Sequence, residues 1–574
     1  MNRSKPSSPR RILCPNDCFL DDFRKFDSRS YQGFTSLDAE TRANTYSNLR
    51  NKICSWLGCV ESPRHKRNIK VKLIRDVNGD ASTPQLLQYH MDTLCCLSVQ
   101  CPLEDVRGYC TQLVTLIQDS GVAMMDDILF DFQKGGPSSF IPINAVVPVS
   151  SQHQETKALF IEAYRQNNRL DHLTQIMGFH PQYLACFLRT QNKLLRADGP
   201  LPYSHRHYIA IIAAARHQCT YLVHLHTAEF LQADGDRTWL DRLENVPVKL
   251  RKLQEINRLL AHRPWMVTSD TIKRLCHGSN SWSLSELTHA IVLLAHFHSL
   301  CSAIFGCGIN FELDDSAGRL LHSDEESSSD GEADSLNCEQ AAVDSLLLRL
   351  RTLKDEAEEY SEEEGKRRFE TIESQANEYS ATAETGKAGS AGGSPRVPDR
   401  CLRSSMNHLV EKTDFVYADF NKFKESTPTF RASDYNWESN GYSMANRLYP
   451  DMGDLLDEKF RTAQQLTYFT IGEKYTNVNT QDFRTGIWNY IHCIMGIRHD
   501  DYDYGRVNSL LDMGFKSFIK LMTCYPERVS KKHFEGIMKG FTYSEKIHVS
   551  IILLEARMQS ELLYALRAVT QYFR

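Results

Sequence analysis

The sequence has no CxxC pair, no run approaching the ~18 apolar residues that span a bilayer, and no marked excess of charge. Each lack removes a class of protein. A net charge of −5 over 574 residues offers no basic footprint for nucleic acid and no acidic excess to keep the whole chain unfolded. The N-terminal stretch MNRSKPSSPRRILCPNDC is basic but lacks an apolar h-region, so no secretory signal is expected. The 17 cysteines are odd in number and scattered. The nearest approaches to CxxC, Cys14/Cys18 and Cys54/Cys59, have no matching ligand pairs downstream, so neither a disulfide framework nor a metal site is expected. No cofactor motif is present either. These lacks together predict a cytoplasmic or nuclear protein with reduced thiols and no membrane span.

What is there is helical. Residues 1–84 are polar and read as a mostly disordered extension, and 85–150 as accessory helices and a linker broken by GGPSSFIPI at Gly135–Ile143. Residues 151–310 carry helical periodicity throughout and form a first lobe. Its clearest element is a long helix over His205–Gln232, with Ala213, Ala214 and Ala215 at its centre, and SWSLSEL opens another with a Ser283/Glu286 capping box. Residues 311–405 read as a disordered linker, acidic at Ser323–Asp334 and rich in Gly and Ser near its end. Within it Val343, Leu346, Leu350 and Leu353 predict one short charged helix. Residues 406–574 form a second lobe with helices over Leu455–Ile471, Thr480–Ile497, Val507–Thr523 and Ser544–Tyr572. Strand-like alternation is scarce, so the predicted class is all-α: two helical lobes, a long linker and an N-terminal extension.

Two sets of residues carry chemistry. On one continuous helix, Cys219 and His226 share a face about 10 Å apart along the axis, while Tyr221 points elsewhere. A thiol beside Arg216, His217 and His226 is either activated by them or an inert, packed cysteine; spacing alone leaves both open. In the second lobe Arg484 and Glu545 supply the guanidinium and carboxylate that a free amino acid's two charged groups require, with Thr467, Thr470 and Thr480 nearby in sequence. Taken alone, these are equally surface charges and helix caps. The loop HDDYDYG, His499–Gly505, combines acidic and aromatic residues, as a solvated connection or a protein interface would.

Longer motifs add a resemblance. RHYIAIIAAARHQCTYL, KLRKLQEINRLLAHRPW, SWSLSEL and IFGCGI in the first lobe closely resemble the sestrins, as do LYPDMGDLLDEKF, IWNYIHCIMGIRHDDYDYG and YSEKIHVSIILLEARMQ in the second. The resemblance implies two lobes similar to the AhpD alkylhydroperoxidase fold. It implies hydroperoxide reduction through Cys219, Tyr221 and His226, although the bacterial pattern's second cysteine is here Leu222 and its acidic relay position is His207. It also implies leucine binding in the second lobe. Glu545 would hold the ligand ammonium and Arg484 its carboxylate, with Thr467, Thr470 and Thr480 as a lid and Phe483 and Phe541 lining the side-chain cavity. Met538 stands where the family has a tryptophan floor, so a leucine site weaker or differently selective by about 1–3 kcal/mol is expected. Asp500 and Asp501 match residues that contact the GATOR complex. The implied function is an intracellular amino-acid sensor that restrains TOR signalling by binding GATOR when leucine is absent.

Overall fold

The computed structural model describes residues 30–57, 83–119, 136–312, 335–355, 360–384, 406–423, 426–466, 471–472, 475, 477–536 and 538–574. Thr467, Thr470, the acidic run 323–334 and the Gly/Ser-rich run 385–405 lie outside them. The chain divides into two compact units, one within Met1–Phe130 and Phe160–Leu170, the other within Asp131–Leu159 and Asp171–Arg574.

In the first unit are helices α1 (Ala39–Trp56), α2 (Thr83–Gln100) and α3 (Glu104–Asp119). The stretch predicted to be mostly disordered therefore contains a helix. Asp38 caps it, accepting from the N–H groups of Glu40 and Thr41. Leu49 and Ile53, one turn apart, are its buried apolar residues, and Arg42 reaches Asp105 of α3 at 2.7 Å. Two buried apolar positions in 18 residues make a stripe too thin to register as a period.

In the second unit the helices that position the first site include α4 (Pro181–Leu195), α5 (Tyr203–Arg216), α6 (Thr220–Gln232), α7 (Leu253–His262) and α8 (Leu284–Cys307). The helix predicted as continuous from His205 to Gln232 is broken at its middle. Gln218 takes a left-handed φ of +55°, and the His217 and Cys219 N–H groups both turn back to Ala214 O. Polar ties anchor the break: Arg216 donates to the carbonyls of Glu411, Lys412 and Phe415, and His217 meets the Arg557 guanidinium at 2.8 Å. Helix α8 begins with the Ser283/Glu286 capping box. Contrary to the sequence reading, α8 is long and apolar enough to cross a membrane by length and composition; its apolar stretch is 94% buried inside the protein.

The linker contributes α9 (Ser335–Asp355) and α10 (Glu362–Glu384), two helices where one short helix was expected. Val343, Leu346, Leu347 and Leu350 of α9 and Phe369, Ile372 and Ala376 of α10 are buried, so both helices pack by one face. Later elements include β1 (Phe430–Arg431), α11 (Met452–Gln465), α12 (Gln481–Ile494), β2 (Ile497–Arg498), α13 (Gly505–Leu510), α14 (Met513–Cys524) and α15 (Tyr543–Phe573). The two strands pair in parallel, Phe430 with Ile497 and Arg431 with Arg498. Predicted Val507–Thr523 splits into α13 and α14 because Asp512 caps the second, accepting from Phe515 N.

The final helix α15 is the axis of this unit. It packs against α8 and α7 from the first half and α11, α12 and α14 from the second. The segments read as separate lobes thus share one core. That core holds partnered charge. Arg557 bonds Glu561, Ser302, His217 and Ala261 O, while Glu561 accepts from His298 at 2.8 Å. Lys459 of α11 meets Glu555 at 3.2 Å, and Tyr183 of α4 donates to the same carboxylate oxygen at 2.5 Å. Such buried pairs tie helices from distant sequence together, because breaking one leaves a stranded charge.

Candidate functional sites

Cys219 is the N-cap of α6, 1% exposed. The Cys301 thiol on α8 is near enough to be affected by it; burial first, then Cys219, pushes Cys301 well above the ordinary cysteine range. Tyr221 points away and donates to Glu312 at 2.7 Å; that carboxylate also accepts from His172 N. His226 faces His207 instead, Nδ1 to Nδ1 at 3.2 Å, its ring edge-on to Phe297. Burial, then the neighbouring His207, pushes His226 well below the ordinary histidine range, and burial takes His207 to about 3. Both rings are neutral at pH 7. The three residues expected to act together therefore have three different partners. Cys301 and Glu312 were not singled out from sequence, because no spacing signal relates them to Cys219 or Tyr221.

The second site gathers at the N-terminus of α15. Thr542 caps that helix and Glu545 returns the bond, Oε2 accepting from Thr542 N at 2.8 Å. The same oxygen accepts from Gly472 N at 3.1 Å, which brings the lid segment onto the helix end. Gly472 is required there: φ is +60°, and a Cβ would stand 2.8 Å from Gly540 O. Arg484, on the first turn of α12, donates from Nε to Thr480 Oγ1 at 3.2 Å and from Nη1 to Gln464 O. Burial holds its guanidinium below the ordinary arginine range.

His548 lies one turn beyond Glu545, close enough to Arg484 to feel its charge. It bonds Ala463 O at 3.1 Å and packs on His180, whose Nε2 bonds Ser544 O at 2.8 Å. Burial brings these histidines to about 3 and about 4 respectively, keeping the wall uncharged. Phe483 contacts Phe541 edge-on at 6.1 Å and stacks on Phe515 at 5.7 Å. Met538 sits half-buried in the preceding turn at φ +53°, its carbonyl accepting from Phe541 N. Of the predicted set, Thr480, Phe483, Arg484, Met538, Phe541 and Glu545 are described; His180 and His548 complete the surroundings. Neither histidine stood out in sequence, since an isolated histidine near a helix end has many structural roles.

The acidic loop gives its three aspartates different surroundings. Asp500 accepts from Ser433 at 2.7 Å and Arg431 at 3.1 Å, and Arg498 lies 2.8 Å from its other oxygen. Burial raises this carboxyl, but these partners outweigh it and hold it below the ordinary range. Asp501 is exposed. Asp503 pairs with Arg368 of α10 at 2.9 Å, so a linker helix braces the loop.

A mostly helical chain that carries these groups of residues is similar to one known family. The family model described as PA26 p53-induced protein (sestrin) matches residues 136–573. Sestrin-1 of Xenopus laevis is 44% identical over 459 residues, covering 76% of this chain and 92% of that protein. Sestrin-3 of Mus musculus is 45% identical, covering 76% and 92%, and Sestrin-2 of Homo sapiens 46%, covering 76% and 91%. The chain belongs to the sestrin family, and membership makes it a stress-induced regulator.

Proposed function

We propose that the chain is an amino-acid-responsive regulator that takes leucine, or a similar aliphatic amino acid, at the N-terminus of α15. One observation carries the reading: the charge of Arg484 reaches His548, one turn beyond Glu545 on α15, and Phe483, next to Arg484, packs on Phe541 just before that helix begins. A guanidinium for the carboxylate, a carboxylate for the ammonium and aromatic walls for the side chain are the groups such a ligand needs. Glu545 Oε2 also holds Gly472, so ligand ammonium at Glu545 and lid position compete for one acceptor. Occupancy is thereby linked to the lid.

The output surface is the His499–Gly505 loop, with Asp501 facing the partner and Asp500 shaping the loop through its arginines. The partner is the GATOR complex, bound when the amino acid is absent, which lowers TOR signalling in the cytoplasm or nucleus. A ligand shifts that balance only by its differential affinity for the two lid states. The test is capture of GATOR by the full chain, with and without millimolar leucine. Capture lost on adding leucine, and lost in Asp501→Ala without leucine, is expected. Capture indifferent to both rejects the reading.

A further inference from the structure

The end of α5 and the end of α7 form one wall of a cavity that neither site above uses. Residues within 407–417 and the turn after α14 close its other sides, and its volume is about 70 Å³. Arg216 and His262 line it, 7% and 8% exposed, and each carries a buried polar atom with no hydrogen-bond partner, Nε and Nδ1 respectively. Gln218 Oε1, on the same wall, is a third. Three such atoms around one small space are an unmet demand for hydrogen bonds.

The charge around the cavity sets the sign of what meets that demand. Both Nη groups of Arg216 are engaged with backbone: Nη1 with Glu411 O at 2.7 Å, Nη2 with Lys412 O at 3.0 Å and Phe415 O at 2.6 Å. Arg263 is held in the same way, Nε on Val416 O at 3.0 Å, with its guanidinium 4.2 Å from the centre of the Phe415 ring. Among the described residues neither arginine has a carboxylate within ion-pair distance. The Arg258 charge adds to that of Arg216, and the exposed Asp414 answers it only from outside. Glu527, the acidic residue of the lining, lies 3.6 Å from Arg528. A buried guanidinium held by dipoles alone keeps an uncompensated positive charge. Burial, then the charge of Arg216, holds His262 well below the ordinary histidine range, so its ring is neutral and has one N–H to donate.

We propose that this cavity binds a short-chain monocarboxylate, its carboxylate toward Arg216 and His262 and its alkyl tail against Val410, Phe415 and Val416. Size and donors choose the class. The cavity has room for about four or five heavy atoms, as in acetate or propionate. With both Nη groups engaged, one guanidinium N–H remains, which suits a singly charged carboxylate and not the several donors that a phosphate takes. Occupancy would fasten the 411–415 carbonyls, and the chain that follows the linker, more firmly to the break. The inference involves neither Cys219 nor the clamp on α15, so it does not depend on the amino-acid reading.

The experiment is saturation-transfer NMR of propionate with the full chain at constant ionic strength, with propanol and inorganic phosphate as competitors. A saturable propionate signal at millimolar concentration that neither competitor removes is expected. Gln218→Glu puts a fixed negative charge in the wall, and Thr413→Trp fills the space from an exposed lining position. Each should weaken propionate binding about tenfold or more, while Glu545→Ala binds as the unaltered chain does. In the unaltered chain propionate should also slow hydrogen exchange over 407–417. The absence of a saturable signal, competition by propanol or phosphate, or binding retained in both wall variants overturns the site. So does exchange over 407–417 that ignores propionate. Loss of the signal in Glu545→Ala assigns it to the amino-acid clamp and overturns the inference while leaving that reading intact.

Discussion

Adjacent residues of one motif have unlike roles. Asp500 is an internal ion-pair partner for Arg498, which is 8% exposed, whereas Asp501 faces solvent. Asp500→Ala leaves Arg498 without its nearest carboxylate and is expected to cost roughly 1–3 kcal/mol; Asp501→Ala should change stability by less than about 0.5 kcal/mol. Chemical denaturation of both variants checks this, and it matters for any partner assay, where only Asp501 reports contact. At the helix end, Thr542→Ala removes the N-cap of α15 and should cost about 1 kcal/mol, read by the same measurement. The histidine wall sets a pH dependence. His180 and His548, at about 4 and about 3 in the folded chain, lie below the ordinary 6.5. Between those values the unfolded chain binds protons that the folded chain refuses. The stability they permit is complete above pH about 6.5 and erodes as pH falls toward 4 and then 3, by up to about 1.4 kcal/mol per unit and per histidine. Thermal unfolding at pH 7.5 and pH 5 should show the decrease, and His548→Gln should shrink it.

Among the elements, the linker helices do more than connect. Val343 of α9 lies 3.8 Å from where a Cβ on Gly472 would stand, and Tyr475 of the lid donates to Asp344. Helix α9 also packs on α13, and α10 on α12, α13 and α14. The lid is therefore held from both sides, by Glu545 and by α9. Leu346→Ala on the buried face of α9 is expected to cost about 2–5 kcal/mol locally. Hydrogen exchange should then speed up over 335–355 and 471–480 while α8 and α15 keep their protection. Acceleration spread evenly over the chain would contradict this. The α5–α6 break is an element-scale feature of another kind, since it turns Cys219 from a mid-helix residue into an N-cap.

At the scale of the molecule, the helical class and the strongest helices were legible in sequence. Capping boxes are local patterns: Ser283/Glu286 was read as one, and Thr542/Glu545 lies beside a helix start already placed at Ser544. Helix breaks at Gln218 and Asp512 were not legible, because the first depends on Arg216 and His217 finding partners almost 200 and over 300 residues away. The helix over Ala39–Trp56 was hidden by its thin buried apolar stripe and α10 by its charge, while α9 was read as one short helix. The shared core around α15 was equally invisible, since a periodic pattern reports that a face is buried but not against what. For the sites, the resemblance located Glu545 and Arg484, while Cys301, His180 and His548 needed the fold. The central claim is that Glu545 and Arg484 form one amino-acid clamp. Isothermal titration of leucine into the full chain tests it most directly. Saturable one-site heat from the unaltered chain, abolished in both Glu545→Ala and Arg484→Ala, is the expected result. No heat at millimolar leucine, or heat unchanged in the two variants, would contradict it.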